Sequence, residues 1–146
     1  MGENIIRRTI TRLMVPFIQL FALYVIVHGD SGPGGGFQGG VILGASFILY
    51  AIVFGSEAGR RRVPAPVTDV LSSVGVLIYA GIGLLCLLLG SAFLDYRALP
   101  FKDPHLAGHY GIFGIEIGVG LTVAAVMVTI FFETAHRGEG GETRDG

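Results

Sequence analysis

The charges of this chain fall in clusters, and three long stretches between them carry none: residues 13–27, 31–56 and 70–94. A fourth stretch, about 110–132, carries only Glu116. Roughly 18 or more mostly apolar residues are what an α-helix needs to cross a bilayer. Uncharged runs of this length therefore limit the chain to an all-α integral membrane protein with four transmembrane helices. Composition agrees: 14% of residues are charged and 51% are hydrophobic, where a soluble domain carries about 25% charged residues. Mean hydropathy is +0.68.

The first span follows a basic segment bearing Arg7, Arg8 and Arg12. Thr9 to Thr11 can lengthen it while Arg12 snorkels to the interface. A basic start before an apolar run also suits a signal peptide, but Pro16 and Gln19 interrupt the run and no small-residue cleavage site follows. An uncleaved helix is the expectation, with Gln19 as a mid-helix polar group seeking an interhelical partner. The second span covers 41–56 and can begin as early as Phe37. Ser46 and Tyr50 lie one turn apart on it, as packing and hydrogen-bonding groups. A short basic loop with Arg60, Arg61 and Arg62 precedes Pro64 and Pro66. The third helix is expected over about 70–89, with Thr68 or Asp69 as its N-cap. Residues 91–109 form the longest connector. Residues 1–135 make a single four-helix membrane domain, and the polar segment 136–146 reads as a flexible tail.

Between the first two spans lies His28-Gly-Asp-Ser-Gly-Pro-Gly-Gly-Gly-Phe-Gln-Gly-Gly40, in which seven of thirteen residues are glycine. Glycine allows positive φ and close backbone approach, and proline opposes a continuous helix. Pro33, Gly34, Gly35, Gly36, Phe37, Gly39 and Gly40 together suggest a packed re-entrant or interfacial turn, although a plain flexible turn has the same composition. Gly34, Gly36 and Gly39 also satisfy G-x-G-x-x-G. That fingerprint requires a preceding strand within a βαβ unit, and helix-length apolar runs flank this one. No nucleotide or other cofactor is expected.

Basic residues set an orientation. Arg7, Arg8, Arg12, Arg60, Arg61, Arg62, Arg137 and Arg144 fall on one side of a four-span topology, against Arg97 and Lys102 on the other. The positive-inside rule makes both termini cytoplasmic. The arginine triplet is explained as a topology determinant, with anionic lipid as a further ligand class. Cys86, the single cysteine, lies mid-span, excludes an internal disulfide, and reads as a small buried apolar residue.

Gly111, Gly114 and Gly118 share one face of the fourth helix, and Gly114-x-x-x-Gly118 is a close-packing motif of membrane helices. Nearly opposite stands Glu116. A carboxylate inside a bilayer costs on the order of 2.5–3.5 kcal/mol, and such acids mark proton or ion paths. Glu116 is the candidate proton- or cation-handling group, with His109 on its stripe at the mouth; a neutral carboxylate, or one paired with a neighbouring subunit's cation, is the plainer alternative. His105 and His109, four residues apart, have a metal-ligand spacing, but only Asp103 is available as a third ligand, so no metal is expected.

These residues resemble the MnhB/MrpB family, small membrane components of the Mrp-type (multiple resistance and pH) multisubunit cation/proton antiporters. The likeness runs from Arg7-Arg-Thr-Ile-Thr-Arg-Leu13 to Thr129. It is most specific at Pro33-Gly-Gly-Gly-Phe-Gln-Gly-Gly40 and less so at Glu116-Ile-Gly-Val119. Asp30 stands where many members have histidine, and Glu116 where some have aspartate. The resemblance implies a small subunit, without a catalytic site of its own, of a bacterial or archaeal cell-membrane complex. That complex exchanges Na+ for H+, and its other subunits, some large and similar to those of respiratory complex I, are the expected partners along with membrane lipid; nucleic acid is not. Two alternatives stay open: an equivalent subunit of a membrane-bound hydrogenase or related redox-driven pump, and a purely structural spacer.

Overall fold

Apolar runs of helix length, broken at glycine and proline, fold into five α-helices among the described residues. In this computed structural model residues 2–29, 34–96 and 102–142 are described; Asp30, Pro33, Arg97 and Arg144 lie outside them. The helices are α1 (Gly2–Val27), α2 (Gly36–Phe54), α3 (Ser56–Arg62), α4 (Ala65–Leu88) and α5 (Pro104–Glu142). Four of them, all but α3, are long and apolar enough to cross a membrane. Many of their large apolar side chains, among them Phe17, Ile52, Leu77 and Leu88, point away from the chain.

Several boundaries differ from the sequence expectation, each for a local reason. α1 starts at Gly2 because nothing in residues 3–12 breaks a helix and Ile5, Ile6 and Ile10 extend its apolar surface. α4 starts at Ala65 rather than near residue 70. Pro64 is its N-cap and Pro66 falls in its first turn, where a missing N–H costs nothing. Thr68 and Asp69 are therefore inside the helix, and the Thr68 hydroxyl donates to the Ala65 carbonyl at 2.9 Å instead of capping. The basic loop is itself helical. Gly55 at φ 99° ends α2, and α3 restarts at once, supported by Arg61 donating to Glu57 one turn earlier at 2.6 Å. α5 runs on to Glu142, through the first residues of the segment 136–146.

The end of α4 follows from Gly90. Its φ of 84° permits a Schellman closure, with Gly90 N–H donating to Leu87 at 3.0 Å and Ser91 N–H to Cys86 at 3.2 Å. The chain then doubles back, so that the Phe93 ring covers Gly83 and the Tyr96 ring covers Gly111.

α5 is the centre of the packing. Gly36, Gly40 and Gly44 form a stripe at every fourth residue of α2, seated on Glu116, Gly120 and Ala124 of α5. Both series ascend together, so α2 and α5 run parallel. A methyl group on Gly40 would lie 2.7 Å from the Gly120 carbonyl oxygen, and one on Gly44 3.3 Å from that of Ala124. Backbones approach this closely only where side chains are small. Gly39, on the adjacent face of α2, packs on Ala22 and Ile26 of α1, while Gly75 of α4 packs on Gly118 and Thr122. Ala51, Val63, Val128 and Phe132 form a buried cluster towards the arginine-bearing end. Cys86 is fully buried and free, and it lies two residues from the end of α4 rather than mid-span.

Candidate functional site: a carboxylate at the start of the second helix

Glu116 projects from α5 towards the first turn of α2. The residue before that turn, Gly35, is the N-cap and offers no side-chain oxygen to the exposed N–H groups. The α5 carboxylate takes that role instead: Gly36 N–H donates to Glu116 Oε2 across 80 residues of sequence. A helix N-terminus carries unpaired N–H groups and about half a positive elementary charge, so it suits an anion.

Three glycines make this approach possible. A methyl group on Gly35 would stand 2.9 Å from Glu116 Oε2, and one on Gly29 would stand 3.1 Å from its Cδ. One on Gly36 would clash with the Glu116 carbonyl oxygen. The carboxylate is thus lined by backbone from both sides of the α1–α2 connection. Gly34 has φ 122°, a conformation that L side chains resist, and Val25 stands against it.

The expected turn residues are therefore divided. Gly34 and Gly35 lie in the connection, whereas Gly36, Phe37, Gly39 and Gly40 open α2; Pro33 lies outside the described residues. Their density reflects helix packing as well as turning. Phe37 is exposed. Gly111, Gly114 and Gly118 face the opposite way from Glu116, against Tyr96, Ile82 and Gly75 respectively.

His109 is exposed near the start of α5, edge-on to Tyr110 with ring centroids 5.9 Å apart. It is two turns from Glu116, roughly 10 Å along the axis. The backbone N–H of His105 donates to Asp103 Oδ1 at 3.1 Å, at the start of α5. Among the described residues no group of three or more His, Cys, Asp or Glu side chains could hold a metal ion.

Two participants were not singled out from the sequence. Gly29 is one, the first glycine of the glycine-rich stretch. The other is Tyr96, whose ring covers Gly111 near the start of α5. Burial pushes its phenol above the ordinary value of 10.0, and the nearby Tyr79, Cys86 and Glu116 add to the effect. No motif marks Tyr96; only the reversal of the chain after Gly90 brings it there.

An all-α, four-span membrane protein with one acid held inside its bundle is the class that this fold and site define. Within that class the chain belongs to the MnhB family: the model described as "Domain related to MnhB subunit of Na+/H+ antiporter" matches residues 6–129. Similar proteins include the "Putative antiporter subunit mnhB2" of Staphylococcus haemolyticus strain JCSC1435, 34% identical over 134 residues, covering 89% of this chain and 94% of that one. The protein of the same description from Staphylococcus aureus strain MRSA252 is 32% identical with the same coverage.

Proposed function

We propose that this chain is a small membrane subunit of a multisubunit Na+/H+ antiporter, a transporter component rather than an enzyme, and that Glu116 is its proton- or cation-handling group. The observation that carries the second part is the carboxylate accepting the Gly36 N–H inside a membrane-spanning helix. In its anionic form Glu116 grips the start of α2. Neutralisation by a proton, or by a cation coordinated to its oxygens, weakens the attraction to the helix end. The two states of the carboxylate therefore differ in how firmly α5 holds α2 and the α1–α2 connection, which gives ion occupancy a mechanical consequence for neighbouring subunits. His109 stands at the mouth of this path and shapes its field.

The subunit sits in a bacterial or archaeal cell membrane with both termini cytoplasmic, as its basic residues direct. Its partners are the other subunits of the antiporter, engaged through the apolar outer faces of the helices. The direct test is cation/proton exchange in everted vesicles carrying the whole complex with Glu116→Gln, assembly being checked on native gels. Undiminished exchange in an assembled complex would overturn the role given to Glu116 and leave the chain as a structural spacer.

A further inference from the structure

At the bundle end opposite Glu116, three arginines converge on one pair of aromatic rings. Tyr50 and Phe54 of α2 are stacked, with centroids 4.6 Å apart. Arg12 of α1 lies 5.1 Å over Phe54 and Arg62 of α3 lies 5.1 Å over Tyr50. Arg8 adds a third guanidinium, 5.7 Å over Phe54. Three neighbouring arginines have polar partners: Arg60 pairs with Glu133, Arg61 with Glu57, and Arg7 donates to Asn4. Among the described residues no carboxylate pairs with Arg8, Arg12 or Arg62. A guanidinium lying over a ring keeps its in-plane N–H donors directed outward.

Beneath Arg12 and Arg62 a cleft of about 130 Å³ opens between α1 and α2, walled by Val15, Pro16 and Phe47. Gln19 also lines it, and its amide has no hydrogen-bond partner among the described residues. Gln19 is seven residues deeper than Arg12, roughly 10 Å along α1. From the end of the bundle inward the order is thus unpaired guanidinium groups, an apolar slot, and an unsatisfied amide. Both helices that form the slot are long enough to span a membrane.

We propose that this corner is a binding site for one anionic phospholipid, its phosphodiester held by Arg12 and Arg62 with Arg8 in support. Arginine meets a phosphate through two parallel N–H donors, and basic clefts between spans are suited to anionic headgroups. The slot takes the upper part of an acyl chain. A soluble phosphate would use the arginines but not the apolar walls.

Native mass spectrometry of the full chain in a neutral detergent tests this, with phosphatidylglycerol and phosphatidylcholine as lipid probes and inorganic phosphate as competitor. One phosphatidylglycerol is expected to be retained per chain, in preference to phosphatidylcholine. Arg12→Gln with Arg62→Gln is expected to weaken it on the order of thirtyfold, the effect of removing two cations beside an anionic headgroup. Arg7→Gln with Arg61→Gln removes the same charge from the same end and is expected to weaken it no more than about threefold. Helical content by circular dichroism verifies that each variant is folded. Equal losses in the two double variants would reduce the site to diffuse attraction, and displacement by millimolar phosphate would make it a site for the free anion; either result overturns the proposal.

Discussion

The backbone N–H of Gly36 donates to Glu116 Oε2, so the acid of the last span caps the helix that follows the first. The pair also begins a repeating contact, since Gly40 meets Gly120 and Gly44 meets Ala124 one and two turns further on. The chemistry of the carboxylate and the packing of α2 on α5 share one register, so a change in either reaches the other.

Gly36→Ala is accordingly expected to be costly. Its methyl group would meet the Glu116 backbone as well as its carboxylate, and overpacking of this kind destabilises by about 1–3 kcal/mol. Gly81→Ala is the contrast: a methyl group there meets nothing within 4 Å, and alanine in a helix interior stabilises by roughly 0.5–1 kcal/mol over glycine. Thermal unfolding of the full chain in detergent should place the two variants on opposite sides of the wild type. The cost at Gly36 comes from close approach alone, because Gly36 is helical and Gly35, at φ 165°, is extended. Positive φ matters at Gly34 instead.

The sequence makes the four spans legible because uncharged runs of their length have few other folds, and Glu116 stands out because it alone carries charge in its span. Its partner is not legible. Nothing local to residue 116 points to a glycine 80 residues earlier. The Gly36, Gly40, Gly44 repeat is present in plain view, yet the glycines around it have the composition of a turn. Boundaries suffered from competing signals too. Pro64 and Pro66 open α4, where a capping rule applied to Thr68 or Asp69 places the start later. The seven residues of α3 are too few to show a period.

Tyr96 offers a pH measurement. Its phenol is held above 10.0, chiefly by burial. For an acid whose folded value is raised, the native state retains the proton longer than the unfolded chain. The stability it contributes is full below pH 10 and is lost as pH rises from there through the folded value. In an alkaline titration followed by the ultraviolet absorbance of phenolate, Tyr96→Phe should remove a late-titrating component from the five-tyrosine curve. An unchanged late phase would show that Tyr96 is not buried over Gly111.

Topology can be read with the single thiol. Cys86 is fully buried near the end of α4, so membrane-impermeant thiol reagents should fail to label it from either side of the membrane. Cysteines introduced at exposed Glu3 and exposed Arg137 should both react from the cytoplasmic side only, in a background where Cys86 is alanine. Labelling of these two positions from opposite faces would contradict an even number of spans, and rapid labelling of Cys86 in intact cells would contradict the placement of α4.

Glu116 itself gives the decisive comparison. Glutamine keeps the volume of a protonated glutamate, and its amide can be placed with its oxygen towards the Gly36 N–H, so Glu116→Gln should preserve the α2–α5 contact and the assembly of the complex. It cannot titrate and holds a cation poorly, so exchange driven by a pH gradient should fall on the order of tenfold or more. Glu116→Asp keeps the acid on a shorter stem, which draws its oxygens back from Gly36; partial exchange with weakened assembly is the expected outcome. Glu116→Ala removes the acceptor and leaves the first N–H of α2 unpaired, adding about 1–3 kcal/mol of instability to the loss of transport. His109→Ala, two turns away and exposed, should shift the pH profile of exchange without abolishing it. The order of the three Glu116 variants separates the roles. If titration matters, glutamine assembles well and transports worst among the assembled complexes, with aspartate the reverse; if only the cap matters, glutamine transports like wild type and alanine fails at assembly.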